Sequence, residues 1–223
     1  MGNARSFKHI AVGMVILLPL LYLWIVWNDI ADTVPMHYNM RGEIDRYGDK
    51  AEMLTAILTL TGVNLGTYLL MVNIHKIDPK RAQAGHKGPM EKLALGVSLF
   101  LTALTSVIIT DAKTGGGSIG EKAIIPLVGL LLAFIGNYMH NLKPNYFAGI
   151  RTPWALNDED NWKQTHQLAS HVWFGGGLTI FILALMCKPE VTAIVMMGIV
   201  AIMVIVPYLY SFILFKKAKN KNQ

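Results

Sequence analysis

The sequence predicts an all-α, polytopic integral membrane protein of about six transmembrane helices with both termini in the cytoplasm, and three observations carry that prediction. Of 223 residues, 53% are hydrophobic and only 15% are charged, where an ordinary soluble domain has about 25% charged. Six uncharged stretches, approximately 10–27, 53–74, 93–110, 123–139, 172–187 and 191–215, are long and apolar enough to cross about 30 Å of hydrocarbon as helices. With six spans, fourteen Lys and Arg fall on the side of the termini and six on the other. The positive-inside rule therefore places both ends and the central loop in the cytoplasm. The same placement explains the net charge of +6 without direct nucleic-acid binding.

Taken in order, the chain reads as residues 1–75 with spans one and two, 76–122 with a basic inner loop and span three, 123–215 with spans four to six, and a basic tail 216–223. The first span reads as an uncleaved anchor, because its apolar run exceeds a signal-peptide core and no small-residue cleavage site precedes Asp29. The outer loop 28–52 is an ordered turn-rich loop punctuated by Pro35, Gly42 and Gly48, with His37, Asn39 and Asp45 as its distinctive polar residues. Its six acids against three basic residues would attract a cationic ligand from outside, or simply keep the loop soluble.

In span two, Thr55, Thr59, Gly62 and Gly66 share a helical face and predict close packing against another helix. Ser98, Thr102, Thr105 and Ser106 offer the partner surface on span three. The loop 75–92, with His75 and His86, is an orientation signal that meets anionic lipid. The glycine run Gly115, Gly116 and Gly117 lacks the Gly-Lys-Ser/Thr ending of a phosphate loop and reads as a flexible turn. In the last span Pro207 predicts a kink or break. Cys187 is the single cysteine, cannot form an intrachain disulfide, and reads as an inert packed thiol.

The longest polar interruption, 137–171, is dense in Pro, Gly, Trp, Tyr and His. Pro144 and Gly149 stop span four from continuing, Thr152-Pro153 starts a turn or short helix, and Asn157 followed by Asp158, Glu159 and Asp160 starts the next helix. That helix runs directly into span five with Trp162, His166, Ala169 and Trp173 on one face. Lys143 and Arg151 pair with the acids at 158–160, folding the loop back on itself. His140, His166 and His171 near those acids raise a metal or acid–base site, yet no ligand or nucleophile motif is present. The expectation is no catalytic residue, no metal, no cofactor and no enzyme activity. No ionisable residue lies inside the spans after Ile10, which argues against a proton-driven carrier. Each elaborate loop follows the first helix of a three-helix half, the pattern of an inverted repeat.

The run Lys143-Pro144-Asn145-Tyr146-Phe147-Ala148-Gly149-Ile150-Arg151-Thr152-Pro153-Trp154-Ala155-Leu156, continuing to Trp162-Lys163-Gln164-Thr165-His166, resembles the signature of the bacterial SdpI immunity-protein family. Val34-Pro35-Met36-His37-Tyr38-Asn39, with Gly42, Asp45 and Gly48, resembles the domain of unknown function that commonly precedes it. Asn161 is more polar than the family pattern at that place. The resemblance implies a multi-pass protein of the bacterial inner membrane that protects its host from a secreted peptide toxin and signals by recruiting a transcriptional repressor. Its functional loop would be Lys143, Pro144, Asn145, Tyr146, Gly149, Ile150, Arg151, Thr152, Pro153, Trp154, Trp162, Thr165 and His166. Two other classes fit the chain: a small channel or carrier, which needs a polar path such as one through Asn64, and a membrane enzyme, which needs clustered polar groups around His166. The sequence does not give the oligomeric state.

Overall fold

The computed structural model describes residues 2–39, 41–77, 88–117 and 120–221. Most of the basic inner loop, including Lys80, Arg81, His86 and Lys87, lies outside the described residues, as do Met40, Ser118, Ile119 and the side chain of His75.

Seven α-helices and one β-hairpin make up the described chain: α1 (Gly2–Val26), β1 (Thr33–Tyr38), β2 (Ile44–Asp49), α2 (Lys50–Asn73), α3 (Gly88–Lys113), α4 (Gly120–Met139), the short α5 (Pro153–Asn157), α6 (Glu159–Met186) and α7 (Pro189–Lys221). Six of the helices are long and apolar enough to span a membrane, and they coincide with the six stretches read from sequence. α1 and α2 pack on α3, α3 touches α4, and α6 lies between α4 and α7. Large apolar side chains such as Trp24, Leu58, Ile194 and Ile202 face outward, as lipid-facing helices require. Pro19, Pro126 and Pro207 all lie within continuous helices. The break expected at Pro207 is therefore absent, because neighbouring helices tolerate the lost hydrogen bond in a span.

Two different interfaces hold the bundle. On α4 and α6 the backbones nearly touch: a Cβ on Gly136 would overlap the backbone of Phe174, one on Gly177 the backbone of Ala133, and one on Gly129 would lie 2.7 Å from Phe181 N. The small-residue contact expected on α2 is instead here. Gly62 and Gly66 have nothing within 4 Å, and Thr55 and Thr59 are exposed, each hydroxyl donating to the carbonyl four residues back. α2 instead buries Met53, Ile57, Thr61, Asn64, Tyr68 and Val72. Against this face Ser98, Thr102 and Thr105 of α3 are buried as expected, and Asn64 Nδ2 donates to Ser98 O and Thr102 Oγ1, both at 3.2 Å.

The outer loop, expected to be ordered and turn-rich, is a β-hairpin. β1 and β2 pair antiparallel from Thr33 opposite Asp49 to Tyr38 opposite Ile44, with irregular register around His37. Cys187, expected to be packed, is exposed, because it caps α6 in the short link to α7.

Candidate functional site

At the end of the bundle that carries both termini, α4 stops at Met139 and the chain builds a compact cap before α6. Asn145, fully buried, organises the first turn. Its Oδ1 accepts from Phe147 N (2.9 Å) and Ala148 N (2.7 Å), and its Nδ2 donates to the carbonyls of Lys143 (2.9 Å) and Ala148 (3.0 Å). Gly149 follows at φ 102°, a conformation that favours glycine, and an added Cβ would overlap His166 Nε2. That close approach lets Ile150 N donate to His166 Nε2 at 3.0 Å. His166 Nδ1 donates to Trp162 O at 2.8 Å, so the buried ring is the neutral Nδ1–H tautomer with both nitrogens engaged. Trp162, stacked on it with centroids 4.0 Å apart, donates from Nε1 to Leu142 O at 2.7 Å.

A second buried network ties the cap to α7. Ser211 Oγ donates to Asn161 Oδ1 (2.7 Å), and Asn161 Nδ2 donates back to Ser211 O (2.9 Å). Since the Ser211 proton is committed to Asn161, the hydroxyl of Thr152 donates to Ser211 Oγ (3.0 Å), alongside Trp154 Nε1 (2.8 Å). Thr165 Oγ1 also donates to Asn161 Oδ1 at 3.1 Å. Thr152 caps α5, accepting from Ala155 N, with Pro153 at its first position. Trp154 stacks on Phe215 and meets Tyr208 and Phe212 edge-on or tilted.

The structure thus gathers most of the signature residues and sorts them. Asn145, Gly149, Thr152, Trp162, Thr165 and His166 form the frame, with Ile150 and Trp154 partly buried on it. Lys143, Tyr146, Phe147, Arg151 and Pro153 are exposed, and Pro144 is half-buried. Two expectations fail here. Arg151 and Lys143 form no ion pair with the acids at 158–160 among the described residues; Arg151 donates to Tyr146 O at 2.7 Å, a local bond requiring no reach across the loop. The cap of α6 is Asp158, whose side chain accepts from Asp160 N and Asn161 N, while Asn157 bonds back to Pro153 O. A carboxylate at the cap meets the helix dipole better than an amide. His140 and His171 stand apart from His166, bonded to Ser170 (3.3 Å) and to Gln167 O (2.7 Å).

At the opposite end sits the hairpin. Asn39 closes its turn, accepting from Arg41 N (2.8 Å) and Glu43 N (3.1 Å), while Gly42 takes φ 78°. Asp45 accepts from His37 (2.6 Å), Glu52 pairs with Arg46 (2.6 Å), Asp32 with Lys50 (3.6 Å) and Asp29 with Lys113 (2.9 Å), and Asp49 caps α2. These local partners absorb most of the negative charge that was expected to draw a cationic ligand. Pro35 lies against Gly116, where an added Cβ would meet its ring. The latch to the bundle is Asp111, buried near the end of α3: Tyr38 Oη donates to its Oδ2, and Gly120 N donates to its Oδ1 at 2.9 Å. Burial first, then the hydrogen bond and charge of Asp111, push the Tyr38 phenol up to about 12.

Three residues central to these sites were missed by reading the sequence. Asp111 directly follows the third apolar stretch, Ser211 is a lone hydroxyl between Tyr210 and Phe212, and Asn161 stands out only as more polar than the family pattern. The usable signal was that two polar residues, each otherwise unexplained, sat on successive helices.

Residues 141–211 match the SdpI/YfhL protein family, and residues 14–61 match a domain of unknown function, DUF1648. The cap, α6 and most of α7 lie within the stretch similar to the SdpI/YfhL family. The match ends at Ser211, so it contains both buried networks. The chain is 30% identical over 127 residues to the Immunity protein SdpI of Bacillus subtilis (strain 168), in an alignment covering 56% of this chain and 59% of that relative. It thus spans about three-fifths of the length of the curated relative it matches. No solved structure matches the chain.

Proposed function

We propose that the protein is a membrane immunity protein of the bacterial inner membrane that gives resistance to a secreted peptide toxin, and that its cap is a signalling surface for a cytoplasmic transcriptional repressor. The carrying observation is the cap's construction within the stretch similar to the SdpI/YfhL family: Tyr146, Phe147 and Arg151 are exposed on a turn organised by the fully buried Asn145, which accepts from Phe147 N and Ala148 N. A rigid platform presenting aromatic and arginine side chains suits protein recognition, because little order is lost on binding. The distribution of basic residues supports a cytoplasmic cap. The hairpin, at the other end, would then face the toxin.

The test is survival of a sensitive bacterium expressing the protein and exposed to peptide toxins encoded near its gene. Protection that requires Arg151 and the hairpin supports the reading. No protection by correctly inserted protein would move the assignment to transport or envelope homeostasis.

A further inference from the structure

Two cavities on the lipid-facing side of α3, α4 and α6 share Asn137 and Phe174 and so form one trough. The inner part, about 620 Å³, is apolar and lined by Leu99, Leu127, Leu130, Phe134 and Leu178 among others. The part near the cap, about 510 Å³, adds the polar side chains of His140, Gln167, Ser170 and His171 to a lining that includes Phe174 and Gly175. At the junction stands Asn137, exposed on a transmembrane helix and making no side-chain hydrogen bond among the described residues. Asn137 lies two residues from the end of α4, so its free amide is offered at the level of the lipid ester groups.

We infer that this trough is a binding site for one phospholipid, with an acyl chain in the apolar part, its ester carbonyl accepting from Asn137 Nδ2, and its headgroup among His140, Gln167 and His171. The dimensions agree. From Leu127 to Asn137 α4 rises about 15 Å, half of the roughly 30 Å hydrocarbon thickness and hence the depth of one leaflet. Polar side chains enter the lining at the level where the bilayer itself turns from hydrocarbon to glycerol ester. The imidazole Nε2 of His171 is the ring's remaining polar atom, since Nδ1 donates to Gln167 O. An entirely apolar occupant, such as a helix of a second copy, would leave Asn137 and the polar part unmatched. The site is independent of the immunity reading.

The test uses the full chain in nanodiscs of phosphatidylethanolamine and phosphatidylglycerol that include a phospholipid with a photoactivatable group in its acyl chain. After illumination, adducts are mapped by mass spectrometry. Expected are adducts on 96–103, 127–134 and 174–178 at least about fivefold above those on the more exposed α7 face around Ile194, Ile202 and Ile205. Asn137→Leu should lower trough labelling by about five- to tenfold, the worth of one hydrogen bond. Ala103→Phe, which fills the trough, should do the same without touching the polar end. Both variants are checked for wild-type thermal unfolding. Labelling of α7 as frequent as that of the trough, no response to either variant, or cross-linking of the trough to a second copy would each overturn the proposal.

Discussion

The two ends of this bundle are capped by opposite physical means. The hairpin is held by charged pairs on its surface, His37 with Asp45 and Arg46 with Glu52, and by two buried anchors, Val34 in the core and the latch at Asp111. The cap between α4 and α6 is held by neutral hydrogen bonds among fully buried groups, Asn145, Asn161, Thr165, His166 and Ser211. Exposed ion pairs contribute about 0 to 1 kcal/mol each, whereas stranding a buried polar partner costs about 1 to 3 kcal/mol. The hairpin is therefore tolerant at its charged surface positions, whereas the cap's polar groups are not. Within the cap, tolerance returns only at the exposed positions, which is where a recognition role would separate from a structural one.

The largest effect is expected where both means of capping depend on the helices beneath them. Gly177→Leu would drive a side chain into the backbone of Ala133 and should cost about 3 kcal/mol or more, seen as loss of folded protein in detergent. Trp162→Ala removes the ring on which His166 stacks and should cost about 3 to 5 kcal/mol in thermal or denaturant unfolding. Ser211→Ala leaves Trp154 Nε1 and the Thr152 hydroxyl without their acceptor; about 1 to 3 kcal/mol is expected. If Ser211→Ala were as mild as a hairpin substitution, the contrast between the two caps would be broken.

The hairpin's own latch should show itself through pH. The phenol of Tyr38 is raised in the fold, so the neutral form is the one favoured, and its contribution is complete below the ordinary tyrosine value near 10. It is lost as pH rises through about 12. Alkaline loosening of the hairpin in that window, followed by labelling of an introduced cysteine, should be absent from Tyr38→Phe. The smallest effect belongs to the surface pairs: Arg46→Ala should change stability by less than about 1 kcal/mol.

Much of this was legible in sequence because lipid imposes simple demands. Uninterrupted apolar runs gave the six spans, and Pro144, Gly149 and Pro153 marked where α4 had to end and α5 begin. The signature was visible as a resemblance, including Gly149 and His166, whose contact leaves no room for a Cβ at position 149. What could not be read was facing. Gly62 and Gly66 have the same spacing as a packing motif yet face outward, while Gly136 and Gly177, on different helices, make the close contact; periodicity defines a stripe but not what it meets. The hairpin was missed because Pro35, Gly42 and Gly48 read equally as loop punctuation, and its pairing depends on contacts with Val34 buried against α2 and α3. Asp111 was missed because a charge at a helix end ordinarily lies in water.

The most direct measurement of the central claim is protection by Arg151→Ala at matched membrane level. Arg151 is exposed and, among the described residues, its hydrogen bond is local, to Tyr146 O, so its removal should leave insertion and unfolding temperature at wild type while abolishing protection of a sensitive bacterium. Full protection at equal protein level would contradict the account, and would mean that the cap's exposed residues recognise nothing and the signature serves the fold alone.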